Sequence, residues 1–129
     1  MQNVKWKDIF NNPEKLIRGI IYLNIGMFLL SLFLNTNLSG ISINPFASLA
    51  PESKSLLILG ATGTYPIDRM HRWWSLLAAN YLHGGILHIL FNMIAFSQIA
   101  PAVAREYGNY RFFLIYSLGG IAGFYISYL

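Results

Sequence analysis

The chain has 129 residues, enough for one modest domain, and 55% of them are hydrophobic while only 11% are charged, with a mean hydropathy of +0.47. In a soluble domain roughly a quarter of the residues are charged, so this composition excludes an ordinary soluble protein and predicts a chain embedded in a lipid bilayer. The net charge of +4 does not indicate a nucleic-acid partner, because the basic residues flank apolar segments and form no continuous patch. The absence of cysteine excludes disulfides, thiolate metal sites and a cysteine nucleophile.

The first transmembrane segment is predicted over residues 16–34, after a polar head of residues 1–15. Asn12, Pro13 and Glu14 have the order of a helix start, with a capping side chain, a proline at the first helical position and an acid in the first turn. The apolar run that follows is long enough to span a bilayer if Arg18 reaches back to the interface. It starts too late for a removable signal peptide and lacks a small-residue cleavage site.

A long outer loop, residues 35–81, is predicted after the first span. Within it, residues 51–59 ahead of Gly60 predict a short helix closed by a C-terminal glycine. This helix is too short to cross the bilayer, so we expect it at the interface or against the bundle. Trp73 and Trp74, near the end of the loop, lie where an aromatic belt is expected.

The second and third transmembrane segments are predicted over residues 82–102 and 112–129. The polar turn of residues 105–111 is short, which makes the two segments antiparallel neighbours. On the third segment, Gly119 and Gly123 form a small-xxx-small pair that predicts a packing groove for another helix. The sequence therefore predicts an all-α membrane protein, a polytopic helical bundle with three transmembrane helices.

The distribution of Lys and Arg predicts the orientation of this bundle. These residues are denser in the head and in the turn of residues 105–111 than in the much longer first loop. Because basic segments stay on the cytoplasmic side, we expect a cytoplasmic N-terminus and an outer first loop. The expected location is an integral, multi-pass position in a membrane, which for a bacterial protein is the plasma or inner membrane.

The most unusual feature is a group of polar side chains within residues 73–104, a stretch without Asp, Glu, Lys or Arg. His83, His88 and Asn92 lie in this stretch. Such groups are costly at membrane depth unless they face protein or water, so they are functional candidates. His88 and Asn92 are four residues apart and share one face of a helix, whereas His83 is expected on the same helix but off that face.

Four interpretations of these three side chains compete. A metal site is disfavoured, because the two histidines are five residues apart with no acidic ligand between them. A haem site, which needs only one or two histidines, stays open, and so does a purely structural role in hydrogen bonds between helices. The fourth is an oxyanion hole, because an imidazole N–H and an amide NH₂ on one face suit the charge that develops on a carbonyl oxygen.

Here the sequence resembles the rhomboid intramembrane serine proteases, whose second core helix carries His-x4-His-x3-Asn. His83, His88 and Asn92 match that motif, and their flanking residues 81–85 and 89–93 are similar as well. Four further features resemble the rhomboid pattern: Gly60-Ala61, the Trp before the second helix, the Glu106-x-Gly108 turn and the glycine-bearing segment Tyr116 to Gly123. Together with the motif they cover about residues 56–129.

The resemblance implies six core helices, a first loop partly in the outer leaflet, and hydrolysis of a peptide bond in or near a substrate's transmembrane segment. It implies a nucleophilic Ser in Gly-x-Ser-Gly on the fourth helix and a His base on the sixth. By this comparison His88 and Asn92 stabilise the oxyanion, and His83 holds the first loop to the helix. No cofactor, metal or nucleic acid is implied, and the expected partners are the lipid bilayer, transmembrane protein substrates and the missing helices four to six.

The chain departs from the rhomboid pattern in two places. The family has Arg directly after the loop Trp, whereas here Arg72 comes before Trp73. There is also no Gly-x-Ser-Gly: the nearest approach is Gly40-Ile41-Ser42 in the first loop, and Ser117 and Ser127 have no His beside them in sequence.

We therefore expect the N-terminal half of a rhomboid protease, helices one to three of six, which is inactive alone. The alternatives are a non-catalytic rhomboid-like protein that binds transmembrane helices and a small membrane anchor whose histidines are structural.

Overall fold

Helices form all the regular structure in the computed structural model, which describes residues 11–35 and 50–129. The helices are α1 (Pro13–Phe33), α2 (Ser53–Leu59), α3 (Ser75–Ala78), α4 (Ile86–Tyr107) and α5 (Asn109–Tyr128), with a π-helical turn at Tyr65–Arg69 and a 3-10 turn at Ala79–Tyr81. These ranges contain no β-strand, so the predicted all-helical class is confirmed for them. Residues 1–10 of the predicted head and residues 36–49 of the predicted loop lie outside the described residues.

The start of α1 follows from local chemistry. The side-chain oxygen of Asn12 accepts a hydrogen bond from the backbone N–H of Glu14 at 3.0 Å, and Pro13 occupies the first helical position, where its missing N–H costs nothing. Along the helix the buried residues recur every three or four positions and form one stripe, consisting of Leu16, Ile17, Ile20, Asn24, Phe28 and Ser31.

Consecutive long helices are antiparallel, because one core cluster joins the start of one to the end of the other. It combines the first turns of α1, the last turns of α4 and the first turn of α5, with Leu16, Ile17, Ile20, Ala100, Ala104 and Phe112 as its buried members. This end also carries Arg18, Arg105 and Arg111, and we call it the basic end. The opposite end, where the chain between α1 and α4 packs, is called the loop end.

Two helices, α1 and α4, are long and apolar enough to cross a membrane. Much of their apolar surface is exposed to the surroundings, as at Tyr22, Leu29 and Phe33 on α1 and Phe91 and Ile99 on α4. The third predicted span corresponds to α5, which has 20 residues but carries an arginine, several tyrosines and glycines that make it less apolar. Its crossing of the bilayer stays a prediction.

The segment between α1 and α4 is fixed by specific contacts. Gly60 ends α2 with φ +109, a left-handed conformation that suits glycine, and a Cβ there would overlap the ring of Trp74. Arg72 donates from Nη1 to the carbonyl oxygen of Leu57 at 2.8 Å, and its guanidinium lies 5.7 Å from the centroid of the Trp74 ring. Arg72 thus anchors this segment although it precedes the tryptophans.

A close contact between Asn80 and α5 lies on the inner side of the bundle. Asn80 donates from Nδ2 to the carbonyl oxygen of Ser117 at 3.4 Å, and a Cβ on Gly120 would overlap the Asn80 side-chain amide. Gly119 and Gly123, the predicted groove, are exposed and have no atom within 4 Å of an added Cβ. The close approach therefore uses Gly120, and no described helix fills the groove of Gly119 and Gly123.

We expect the Gly120→Ala substitution to lower the thermal unfolding midpoint of the protein in detergent micelles. The added methyl group displaces the Asn80 amide and breaks its bond to the carbonyl of Ser117, with a combined cost of about 1–3 kcal/mol. The matched control is Gly119→Ala, which adds the same methyl group to open space and should leave the midpoint unchanged or slightly raised. Equal effects of the two substitutions would contradict the contact.

Candidate active site

A cavity of about 330 Å³ opens at the loop end of the bundle. Residues 61–64 of the loop form one wall, and the end of α5, with Ser127 and Tyr128, forms another. His83, Gly84 and His88 also line it. The cavity therefore joins the loop, the third long helix and two of the three side chains that the sequence singled out.

His83 does not lie on α4. The helix begins at Ile86 with Gly85 as its N-cap, so the expectation that His83 shares a helix with His88 was wrong. Residues 82–85 precede the helix, which lets the His83 ring pack edge to face on the ring of His88, with centroids 5.1 Å apart and an interplanar angle of 68°. Helical spacing could not predict this contact, because it depends on the conformation of the chain before the helix.

His83 is buried, with 5% of its surface exposed, and its Nδ1 has no hydrogen-bond partner among the described residues. Burial lowers the pKa of His83 below its usual value, and the neighbouring His88 lowers it further. Burial thus disfavours the charged form of His83, and its ring packs against the ring of His88.

His88 lies in the first turn of α4 and is exposed. Its Nδ1 accepts a long hydrogen bond of 3.5 Å from the backbone N–H of Gly84. In a neutral imidazole an accepting Nδ1 carries no proton, and this tautomer donates from Nε2. The first turn of a helix also favours negative charge near it, because its backbone N–H groups have no partner within the helix.

Asn92 follows one turn later on the same face of α4 and is also exposed. Within the described parts of the chain its amide forms no hydrogen bond, so both of its N–H donors are available. The packed side of α4 carries Ile89, Ala100 and Ala104, which are buried, and it adjoins the side that carries Asn92. His88 and Asn92 are exposed beside this packed side, so the described helices leave both side chains uncovered.

These two donors can stabilise negative charge on an oxygen atom placed beside them, but they supply no nucleophile. Ser127 lines the same cavity and forms no hydrogen bond with His83 or His88 in the described structure. Across residues 11–35 and 50–129, no three His, Cys, Asp or Glu side chains come together where a metal ion could be held. The chemistry that this arrangement supports is charge stabilisation.

Two contacts at the rim of the cavity were not anticipated. The hydroxyl of Tyr128 donates to Oδ1 of Asp68 at 2.6 Å, and the ring of Trp73 packs edge to face on the Tyr128 ring at 6.0 Å. They join the end of α5 to the loop across 60 residues of sequence. Only the three-dimensional arrangement reveals these two contacts, because the residues that form them are far apart in sequence.

Loss of the Tyr128 hydroxyl is expected to loosen the loop. In Tyr128→Phe the ring contact with Trp73 remains while the bond to Asp68 is lost, so amide hydrogen exchange in residues 61–72 should become faster. Tyr125→Phe is the matched control, because Tyr125 lies on the same helix and packs near Tyr128 but forms no hydrogen bond with a described residue. Unchanged exchange in Tyr128→Phe would show that the bond does not hold the loop.

The fold and the site together define a helical integral membrane protein with a pair of hydrogen-bond donors on an uncovered helix face. The Rhomboid domain model matches residues 70–129, which include α3, α4, α5 and all three candidate residues. The chain belongs to the rhomboid family.

Several curated rhomboid proteins are similar to this chain. RHOMBOID-like protein 4 of Arabidopsis thaliana is 35% identical over 81 residues, which are 63% of this chain and 21% of that protein. Rhomboid protease GluP of Bacillus subtilis (strain 168) is 46% identical over 57 residues, 44% of this chain and 11% of GluP. RHOMBOID-like protein 1 of Arabidopsis thaliana is 28% identical over 128 residues, 88% of this chain and 33% of that protein.

The chain thus spans a third or less of the length of these three relatives. No solved structure matches it.

Proposed function

We propose that this chain forms the oxyanion side of the active site of a rhomboid-type intramembrane serine protease. In this proposal Nε2–H of His88 and the amide of Asn92 donate to the oxygen of the scissile carbonyl as it gains negative charge. His83 supports His88 by packing against its ring. The substrate is a peptide bond in or near the transmembrane segment of another protein.

The observation that carries the proposal is the placement of both donors on the uncovered face of α4, one turn apart. Donors that held the described helices together would have acceptors there, whereas neither His88 nor Asn92 donates a hydrogen bond to a described residue. Donors that are exposed beside a cavity can be reached by the carbonyl group of a substrate and by a nucleophile from another chain segment. The match of residues 70–129 to the Rhomboid domain, and the similarity to a rhomboid protease, support the same reaction class.

The nucleophile and the general base are proposed to come from other helices, as the resemblance implies. The 129 residues contain no Gly-x-Ser-Gly, and the curated relatives are several times longer than the matched segments. The proposal also includes α5 as a third span, a cytoplasmic basic end, and a loop end on the outer side, in line with the distribution of Lys and Arg.

A fusion tests the proposed roles of His88 and Asn92. The segment of GluP that matches this chain is replaced by the corresponding residues of this chain, and cleavage of a transmembrane substrate is measured. Each of His88→Ala and Asn92→Ala should lower kcat by roughly 10²–10³-fold, because each removes one donor, worth about 3 kcal/mol, from the transition state. KM should change little, since these contacts strengthen only as charge develops.

Gln98→Ala is the matched control for the fusion. Gln98 also carries an amide and is exposed on α4, but it lies more than one turn beyond Asn92. Its removal should leave kcat within about twofold, as expected for an exposed residue without a partner. If His88→Ala and Asn92→Ala behave like Gln98→Ala, and the variants fold, the two residues are structural and the proposal is wrong.

The 129-residue chain alone should show no labelling by a serine-directed phosphonate. Acyl-enzyme chemistry needs a nucleophile activated by a base, and Ser127, the serine that lines the cavity, forms no hydrogen bond with either histidine. The measurement is intact mass after treatment, with the GluP fusion as the positive control. Specific labelling at Ser127 would show that the chain carries its own nucleophile.

A further inference from the structure

We infer that the basic end of the bundle holds one phospholipid of net charge −1, seated between α1 and α4. The inference concerns a second cavity, of about 400 Å³, at the opposite end of the bundle from His88. It goes beyond proteolysis, because it depends on the two helices and their arginines and not on the oxyanion donors.

The cavity has a polar part and an apolar part that match the two parts of a phospholipid. Arg18 from the second turn of α1 and Arg105 from the last turn of α4 both line it. Ile17, Ile21 and Pro101 supply apolar lining beside them. Guanidinium groups bind phosphate oxygens in a forked geometry, and the neighbouring apolar wall suits the first methylene groups of an acyl chain.

The arginines are available for such a ligand. Both are exposed, and neither forms a hydrogen bond or ion pair within the described parts of the chain. Their positions near the ends of two apolar helices place them at the depth where lipid phosphates lie. A basic pocket between transmembrane helices is an arrangement that recognises anionic lipid headgroups.

Charge balance selects the class of lipid. Glu14 also lines the cavity, so the two guanidinium groups and one carboxylate leave a net charge of +1. A lipid with a single negative charge, such as phosphatidylglycerol, compensates this charge, whereas zwitterionic phosphatidylcholine leaves it uncompensated. We therefore expect the cavity to bind phosphatidylglycerol more tightly than phosphatidylcholine with the same acyl chains.

The test is native mass spectrometry of the purified 129-residue chain in micelles that contain equal amounts of phosphatidylglycerol and phosphatidylcholine. We expect one retained phosphatidylglycerol per chain and a preference of about tenfold or more over phosphatidylcholine. Arg18→Gln and Arg105→Gln should each weaken retention roughly tenfold, because each removes a charge-assisted hydrogen bond.

Two variants make the result specific. Arg111→Gln removes the same charge from the same end of the bundle, but Arg111 does not line the cavity, so retention should stay unchanged. Glu14→Gln removes the negative charge from the lining, so retention should become stronger, a gain that loss of folding cannot imitate.

Three results would overturn the inference. The first is equal loss in Arg111→Gln, which would indicate diffuse surface attraction. The second is the absence of a preference for phosphatidylglycerol. The third is retention of inorganic phosphate in place of lipid when millimolar phosphate is added, which would identify a free anion as the occupant.

Discussion

The arrangement of α4 depends on one constraint: a polar group in an apolar bundle costs free energy unless it finds a partner in the protein or faces water. One face of α4 packs on α1 and α5 through small and branched side chains, including Ile89, Ala100 and Ala104. This packing fixes the rotation of the helix and leaves His88 and Asn92 exposed beside the packed side. The packing of these apolar residues therefore sets the positions of the two donors.

The same constraint explains the polar contacts that hold the helices together. Asn24, fully buried on α1, donates from Nδ2 to the carbonyl oxygen of Ile20 at 2.8 Å and to the hydroxyl of Tyr116 on α5 at 3.4 Å. Asn35, just beyond α1, accepts from the backbone N–H of Glu52 at 2.8 Å and from the hydroxyl of Ser55 at 2.9 Å. In lipid, where apolar burial between helices gains little, such bonds and close backbone contacts set the packing.

The parts that the sequence predicts well are those governed by neighbouring residues. The start of α1 at Pro13 follows from the Asn12 cap, and the end of α2 at Gly60 follows from the left-handed conformation that glycine permits. The shared face of His88 and Asn92 follows from helical periodicity.

What the sequence misses depends on which segments meet in space. Gly119 and Gly123 have the spacing of a packing pair, yet Gly120 makes the close contact, because Asn80 from the preceding segment approaches α5 at that position. The position of His83 beside His88, and the bond between Tyr128 and Asp68, both require the loop to fold back over the helix ends.

The central claim is that Nε2 of His88 and Nδ2 of Asn92 bind the oxyanion, and an inhibitor complex measures this directly. The structure to determine is the active GluP fusion with a phosphonate covalently bound to its nucleophilic serine, because the phosphonyl oxygen occupies the position of the oxyanion. The account predicts that this oxygen lies about 2.7–3.1 Å from both nitrogen atoms. A phosphonyl oxygen directed away from α4, with water on His88 and Asn92, would contradict it.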